Sequence, residues 1–296
     1  MSKKPIELID RKSGEVVQES VMGCGALRFA YETLLGKCLS GLLFNTSGLS
    51  RLMGAYYDSA LSKRNIPELA AIPGCAPEEA EFPLEHYKSF NDFFCRRLKE
   101  GIRPFDPASE VLSSPADGRI SVFEGLKSTD AVPVKGARRS LNDLCCEELG
   151  EAEYAVAVIR LAPVDYHRFH FPCDCVQSSL PQKVPGKYHS VNPIALAVCP
   201  DVFVENTRQV TLLESEKFGT FRYLEVGAFG VGSIIQYKGP GKHLKQAEKG
   251  CFKFGGSTVI LIFENDRLKW NADLLQHTAD GYETLIRLGE TLAIVR

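Results

Sequence analysis

From Arg103-Pro104 onward the chain is a succession of short β-branched and aromatic runs separated by turn residues, and this limits the fold more than any other feature. The runs are Ile120 to Phe123, Ala155 to Leu161, Val202 to Val204, Val210 to Leu213, Phe221 to Val226, Val231 to Tyr237, Val259 to Phe263 and Thr291 to Val295. Such spacing predicts an antiparallel β core, sandwich- or barrel-like. Helical periodicity lies upstream of it. Leu27, Tyr31, Leu34, Leu35, Cys38, Leu39 and Leu42 recur at intervals of three and four, and Leu49, Leu52, Met53, Tyr56, Tyr57 and Ala60 do so after the Asn45-Thr46-Ser47-Gly48 break. The expected class is therefore α+β, with amphipathic N-terminal helices. Residues 1–20 read as an opening strand or loop and 62–88 as irregular. Ser89-Phe90-Asn91-Asp92 reads as a cap that opens a short helix through Phe93, Phe94 and Leu98, ended by Gly101.

Composition removes several classes of function. A net charge of −2 gives no basic field for nucleic acid. Among the ten cysteines, Cys145-Cys146 and Cys173-Asp174-Cys175 are close, but neither has the C-x-x-C spacing of a zinc site, so no metal is expected. Reduced, mostly buried thiols in a cytosolic compartment are the expectation. Met1 to Pro5 lacks the apolar core of a signal peptide. The longest apolar stretch, Gly25 to Phe44, is interrupted by Arg28, Glu32 and Lys37, which predicts no spanning helix. The two amphipathic helices have two readings, packing on a core or docking on a lipid surface. Arg96, Arg97 and Lys99 likewise read as a solvated face or as a phosphate contact.

Three segments carry chemistry. In Gly250 to Phe263, the glycines Gly255 and Gly256 precede Ser257 and Thr258, between Phe252/Phe254 and the apolar run from Val259. Glycine freedom lets the Gly256 carbonyl approach the Ser257 hydroxyl. The same pattern also fits a hairpin with Ser257 capping its turn. Ser114-Pro115-Ala116-Asp117-Gly118 is a tight turn ahead of a strand. Pro163 to Pro172 holds Asp165, His167, Arg168 and His170, and in extended chain the two histidines face opposite sides.

Taken in order, these segments resemble the phosphatidylserine decarboxylase family, pyruvoyl-dependent enzymes that make their own cofactor. The resemblance runs through Phe93-Phe94-x-Arg96-x-Leu98-Lys99 with Arg103-Pro104, Ser114 to Gly118, Val134-Lys135-Gly136 and Asp165 to His170. It continues through Ser190-Val191-Asn192-Pro193, Val231-Gly232-Ser233-Ile234 and Lys249 to Thr258. One departure is Asn206-Thr207-Arg208, where the family commonly has Asn-Glu-Arg.

The resemblance implies self-cleavage between Gly256 and Ser257, giving a β chain, 1–256, and an α chain, 257–296. Residues 1–104 would be a helical membrane-docking region and 105–296 the catalytic core. Ser257 Oγ attacks the Gly256 carbonyl, the peptide becomes an ester, elimination frees it, and hydrolysis of the enamine leaves a pyruvoyl group. That ketone takes the substrate amine as a Schiff base and serves as electron sink. By the same resemblance His170 is the base for Ser257, Asp117 its partner, His167 assists decarboxylation or proton transfer, and Asp165 supports it. Thr258 is a candidate to hold the scissile carbonyl. The implied partners are phosphatidylserine in a membrane and a heterodimer of the protein's own α and β chains, with a homodimer of these left open. The implied location is the cytoplasmic side of the cell membrane, as a peripheral protein acting in phospholipid biosynthesis. A serine hydrolase built on Ser257, His170 and Asp117 is the rival, but Gly-Gly-Ser-Thr is not the G-x-S-x-G elbow. A catalytically silent β-domain that binds lipid or protein is a second, and it gives no reason for those three residues to occur together.

Overall fold

The computed structural model describes residues 6–19, 47–133, 138–191, 193–228, 234–254 and 257–296. The Leu27 to Leu42 helix, the motif residues Val134 to Gly136, Asn192 and Val231 to Ser233, and the glycines Gly255 and Gly256 lie outside them. Among the described residues seventeen strands form three sheets. Along the chain they are β1 (Glu7–Asp10), β2 (Val16–Gln18), β3 (Val111–Ser113), β4 (Gly118–Lys127), β5 (Glu153–Leu161), β6 (Arg168–His170), β7 (Cys175–Gln177), β8 (Gln182–Val184) and β9 (Arg208–Ser215). There follow β10 (Gly219–Gly227), β11 (Ile234–Gln236), β12 (Gly241–His243), β13 (Glu248–Phe252), β14 (Ser257–Glu264), β15 (Leu268–Trp270), β16 (Glu283–Ile286) and β17 (Thr291–Val295).

The large sheet runs β12-β7-β9-β10-β14-β5-β4-β16-β1-β2, with β8 beside β9. Its pairings are antiparallel apart from β1 with β16. Two three-stranded sheets, β11-β13-β6 and β15-β17-β3, cover one face. This is the expected α+β architecture with an antiparallel β core, in open layers rather than a closed barrel.

Alternation along β14 shows how the layers are filled. Val259, Leu261 and Phe263 enter the core that includes Phe169, Phe252 and Trp270 of the small sheets. Ile260 and Ile262 enter the core on the opposite face, with Leu141, Leu144, Leu196, Val202 and Phe203. Those residues come from short helices. In chain order the helices are α1 (Ser47–Asp58), α2 (Ile66–Ala70), α3 (Phe90–Phe94), α4 (Leu141–Cys145), α5 (Pro193–Leu196), α6 (Val202–Glu205) and α7 (Ala272–Ala279). A third core joins α2 and α3 to Ala162 and Val164.

Several expectations are corrected. The stretch from Gly250 to Phe263 is not a hairpin. Strand β13 pairs with β11 and β6, whereas β14 pairs with β10 and β5, so the two strands belong to different sheets. Val202 to Val204 is helical, because the Asp201 carbonyl accepts the N–H groups of Val204 and Glu205. Helix α3 starts as expected, with Ser89 accepting from Asp92 N–H (3.2 Å), but it stops at Phe94. Beyond it Leu98 bridges Ala80, and Arg96 is buried against the carbonyls of Val164 and Asp165 instead of forming a solvated face. Asp117, in the turn ahead of β4, accepts the Leu288 N–H (2.7 Å).

The close approach of β11 and β6 to β13 leaves no room at Gly250. A Cβ there would lie 2.1 Å from the Ile235 carbonyl oxygen and 2.5 Å from the Phe169 ring. Gly250→Ala should therefore lower unfolding free energy by about 1–3 kcal/mol in urea denaturation, the usual cost of overpacking a core. An unchanged midpoint would show that the small sheet yields easily.

Candidate active site

Ser257 is the first residue of β14, opposite Leu161 of β5 and Gly227 of β10. It is fully buried. The strand's alternation puts its side chain with Val259 and Leu261, toward the small sheets, and Thr258 on the other face. The Thr258 Oγ1 is buried and has no hydrogen-bond partner among the described residues.

His167 meets Ser257 from the small-sheet side, its Nδ1 3.3 Å from Oγ. Its Nε2 lies 3.0 Å from the Ala162 carbonyl oxygen. A carbonyl can only accept, so Nε2 carries the proton and Nδ1 is left as an acceptor for the Ser257 hydroxyl. Burial, helped by the nearby Arg96 charge, pushes the His167 pKa down to about 3. The ring is therefore neutral at physiological pH. Phe94 of α3 stacks on it at 3.8 Å, and the Phe252 N–H donates to its carbonyl (2.9 Å).

Asp165 holds the turn that aims this ring. Its Oδ2 accepts the Ala162 N–H (2.6 Å) and pairs with Arg119 of β4. Arg119 also pairs with Glu19, which reaches Arg160 of β5 as well. The chain from Asp165 to Ala162 to His167 is thus anchored on two central strands.

His170 and Asp117 sit in a different set of contacts. His170 Nδ1 is 2.8 Å from the Gln246 carbonyl oxygen and so carries its proton, leaving Nε2 to accept from the Tyr166 hydroxyl at 3.4 Å. Burial lowers the His170 pKa too. Both Asp117 oxygens accept from Arg103 (3.1 and 2.7 Å), which also binds Glu79. The His170 N–H bonds the Pro115 carbonyl in the Asp117 turn (2.8 Å). The structure thus brings Ser257 and His167 together, and it gives His170 and Asp117 other hydrogen-bond partners. At Thr207, where the family commonly has Glu, the hydroxyl bonds the Val184 carbonyl (3.4 Å), while Asn206 binds the carbonyl of Gly227 (2.8 Å), the residue opposite Ser257.

Sequence reasoning missed the working parts played by Phe94, Arg103 and Arg119. Phe94 and Arg103 lay inside recognised motifs, but nothing local tells a stacking ring or a carboxylate clamp from an ordinary core or surface residue. Among the described residues no group of His, Cys, Asp and Glu could hold a metal ion.

The sequence model of the phosphatidylserine decarboxylase family matches residues 90–294. The phosphatidylserine decarboxylase proenzyme of Chlamydia muridarum is 41% identical over 288 residues, covering 96% of this chain and 95% of that one. Proenzymes of the same name from Ruminiclostridium cellulolyticum (39% identical, 97% of each chain) and Clostridium botulinum (40%, 97% of this chain and 98% of that one) are similarly close.

The depressed pKa of His167 has a consequence for stability. Between its ordinary 6.5 and about 3, the unfolded chain binds a proton at this position and the folded chain does not. Stability is therefore lost as pH falls through that window, and His170 acts in the same direction. Urea denaturation at pH 7 and pH 5 should show a smaller loss in His167→Phe than in the unsubstituted protein. Equal losses would mean that the ring is protonated in the fold.

Proposed function

The chain belongs to the phosphatidylserine decarboxylase family, and from that premise we propose how its residues perform the reaction. The reaction removes the carboxylate of phosphatidylserine as CO2 and leaves phosphatidylethanolamine. We propose that the chain first cuts itself between Gly256 and Ser257, into 1–256 and 257–296, and that residue 257 becomes a pyruvoyl group. The observation that carries this reading is a buried serine hydroxyl at the head of a central strand, facing the unprotonated nitrogen of a neutral histidine.

These residues fit a cofactor made in place. The hydroxyl has an acceptor for its proton, and both it and the acceptor ring are fully buried. The pyruvoyl group supplies a ketone that takes the substrate amine and draws electrons from the bond to the departing carboxylate. Around it, His167 moves protons at residue 257, Asp165 and Arg119 keep that ring aimed, and Phe94 covers it. By family resemblance His170, whose Nε2 accepts from the Tyr166 hydroxyl, is the base for the cut, and Asp117 steadies the turn beside it. The 3.3 Å contact favours a second reading, in which His167 also serves as the base for the cut.

Intact mass and gel analysis test the cut, and Ser257→Ala should remain a single inactive chain. His170→Ala should stay uncleaved, whereas His167→Ala should cleave and lose decarboxylation by about 100-fold or more. An uncleaved His167→Ala beside a normally cleaved His170→Ala would establish the second reading. A full-length active chain would overturn the pyruvoyl mechanism altogether.

We further propose a peripheral enzyme of phospholipid biosynthesis on the cytoplasmic face of the cell membrane. Among the described residues no helix is long and apolar enough to cross a membrane. The substrate's acyl chains stay in the bilayer, so the headgroup must be reached from its surface. Support comes from Leu52 and Leu61, 70% and 73% exposed at and just after α1, and from the half-exposed Phe82. Leu52→Asp with Leu61→Asp should reduce vesicle binding and activity on bilayer substrate, with self-cleavage intact. Undiminished vesicle binding would move the docking surface elsewhere.

A further inference from the structure

The outer face of the β11-β13-β6 sheet, turned away from His167, carries a pair of thiols that neither the cut nor decarboxylation uses. Ile235, Cys251 and Arg168 stand side by side across it, in register. Tyr237, just past β11, donates its hydroxyl proton to Cys251 Sγ (3.0 Å). Cys95, the residue that ends α3, lies over this row. Its Sγ donates to the carbonyl of Phe252 (3.4 Å), the residue next to Cys251, which sets the two thiols beside each other. Arg168 donates to the Cys95 carbonyl (2.8 Å), which keeps its guanidinium beside both sulfurs. Both cysteines line a cavity of about 830 Å³, with Lys253, Arg97 and Tyr87 among its other walls.

The pair is chemically unequal. The hydrogen bond from Cys95, then that from Tyr237 and the Arg168 charge, outweigh burial and bring Cys251 down to about 7. The same hydrogen bond, with burial, pushes Cys95 well up. Burial instead raises Cys75, Cys145, Cys173 and Cys175. A part-ionised thiol beside a neutral one is the arrangement in which the first is oxidised and the second resolves it.

We propose that Cys95 and Cys251 form a peroxide-reactive dithiol whose disulfide pins α3 over the active site and closes it. The Cys251 thiolate attacks one oxygen of hydrogen peroxide; the S–O bond forms, the O–O bond breaks, and hydroxide leaves. Cys95 sulfur then attacks the sulfenic sulfur, the S–S bond forms, and the displaced hydroxide leaves as water with the Cys95 proton. The proton lost when Cys251 ionised neutralises the first hydroxide, so two thiols and one peroxide give one disulfide and two waters. The effect on activity rests on the site at Ser257. Ser257 and His167 are fully buried, so a lipid headgroup reaches them only if part of their cover moves. Helix α3 is such a cover: Phe94 stacks on His167, and Asn91 Oδ1 accepts the Phe254 N–H (2.9 Å). A bond from the end of α3 to β13 fixes that cover to the strand leading into the cleavage site.

The test treats purified enzyme with hydrogen peroxide across pH 6 to 8. Non-reducing peptide mass analysis reads the linkage, and decarboxylation of phosphatidylserine in mixed micelles reads activity. The expected result is a Cys95–Cys251 linkage whose rate rises with ionisation near pH 7. Most activity should be lost with it and returned by dithiothreitol. Cys95→Ser, and separately Cys251→Ser, should keep activity through the treatment. Absence of the linkage, a linkage with undiminished activity, or equal inactivation of Cys95→Ser would each overturn the proposal. Because the linkage is read by mass, it is scored whether or not the protein decarboxylates.

Discussion

A buried ion pair between sheets sets the position of everything around Ser257. Lys249 of β13 reaches across to Glu225 of β10 (2.5 Å) and also binds Thr211 of β9 (3.1 Å) and Gln236 of β11 (2.9 Å). Both charges are fully buried, with the ammonium near the rings of Tyr223 and Phe169. Burial drives the two pKa values toward each other, Glu225 up and Lys249 down, and their attraction opposes both shifts. A buried pair adds little net stability compared with apolar packing, but losing one partner strands the other. Its effect here is registration. It ties the small sheet to the large one two rungs from Gly227, and so fixes how β13 presents the backbone that holds His167.

The arginines of the central strands solve a related problem. Arg119 and Arg160 are paired residues on β4 and β5, and like charges directly opposite each other repel. Glu19 bridges the two, Asp165 takes the free side of Arg119, and Glu283 that of Arg160. The carboxylate that neutralises a strand arginine is therefore the same one that shapes the 162–167 turn. Electrostatic need on the sheet and geometric need at the site are met by one side chain.

Much of this was legible in the sequence, and the failures share a cause. Strands such as Ala155 to Leu161 and Val259 to Phe263 announce themselves by composition, and Ser89 announces a cap, because these signals are local. The opposite orientation of His167 and His170 follows from their odd spacing. What a sequence withholds is which strands pair. Two apolar runs around Gly255-Gly256 suggest a hairpin, and only long-range pairing sends β13 and β14 to different sheets. Val202 to Val204 has strand composition, yet it folds as a turn of helix because the Asp201 carbonyl is positioned to take its N–H groups. Arg96 carries a charge and is buried, because backbone carbonyls distant in sequence receive it. Which histidine touches Ser257 likewise depends on Ala162, Gln246 and Tyr166, contacts no motif encodes.

The last forty residues are woven through the whole molecule. Strand β14 lies between β10 and β5, β16 between β4 and β1, and β17 between β15 and β3. A break before Ser257 severs one covalent bond but leaves these ladders intact, so the smaller piece cannot leave without dismantling two of the three sheets. The converse also holds. Once such a cut molecule unfolds, its pieces become separate solutes, and reassembly is a second-order encounter in which a short fragment must thread back between strands that have no reason to stay apart. A molecule cut in this way would persist through the height of its unfolding barrier rather than through its equilibrium, and would fold productively only once, before any cut.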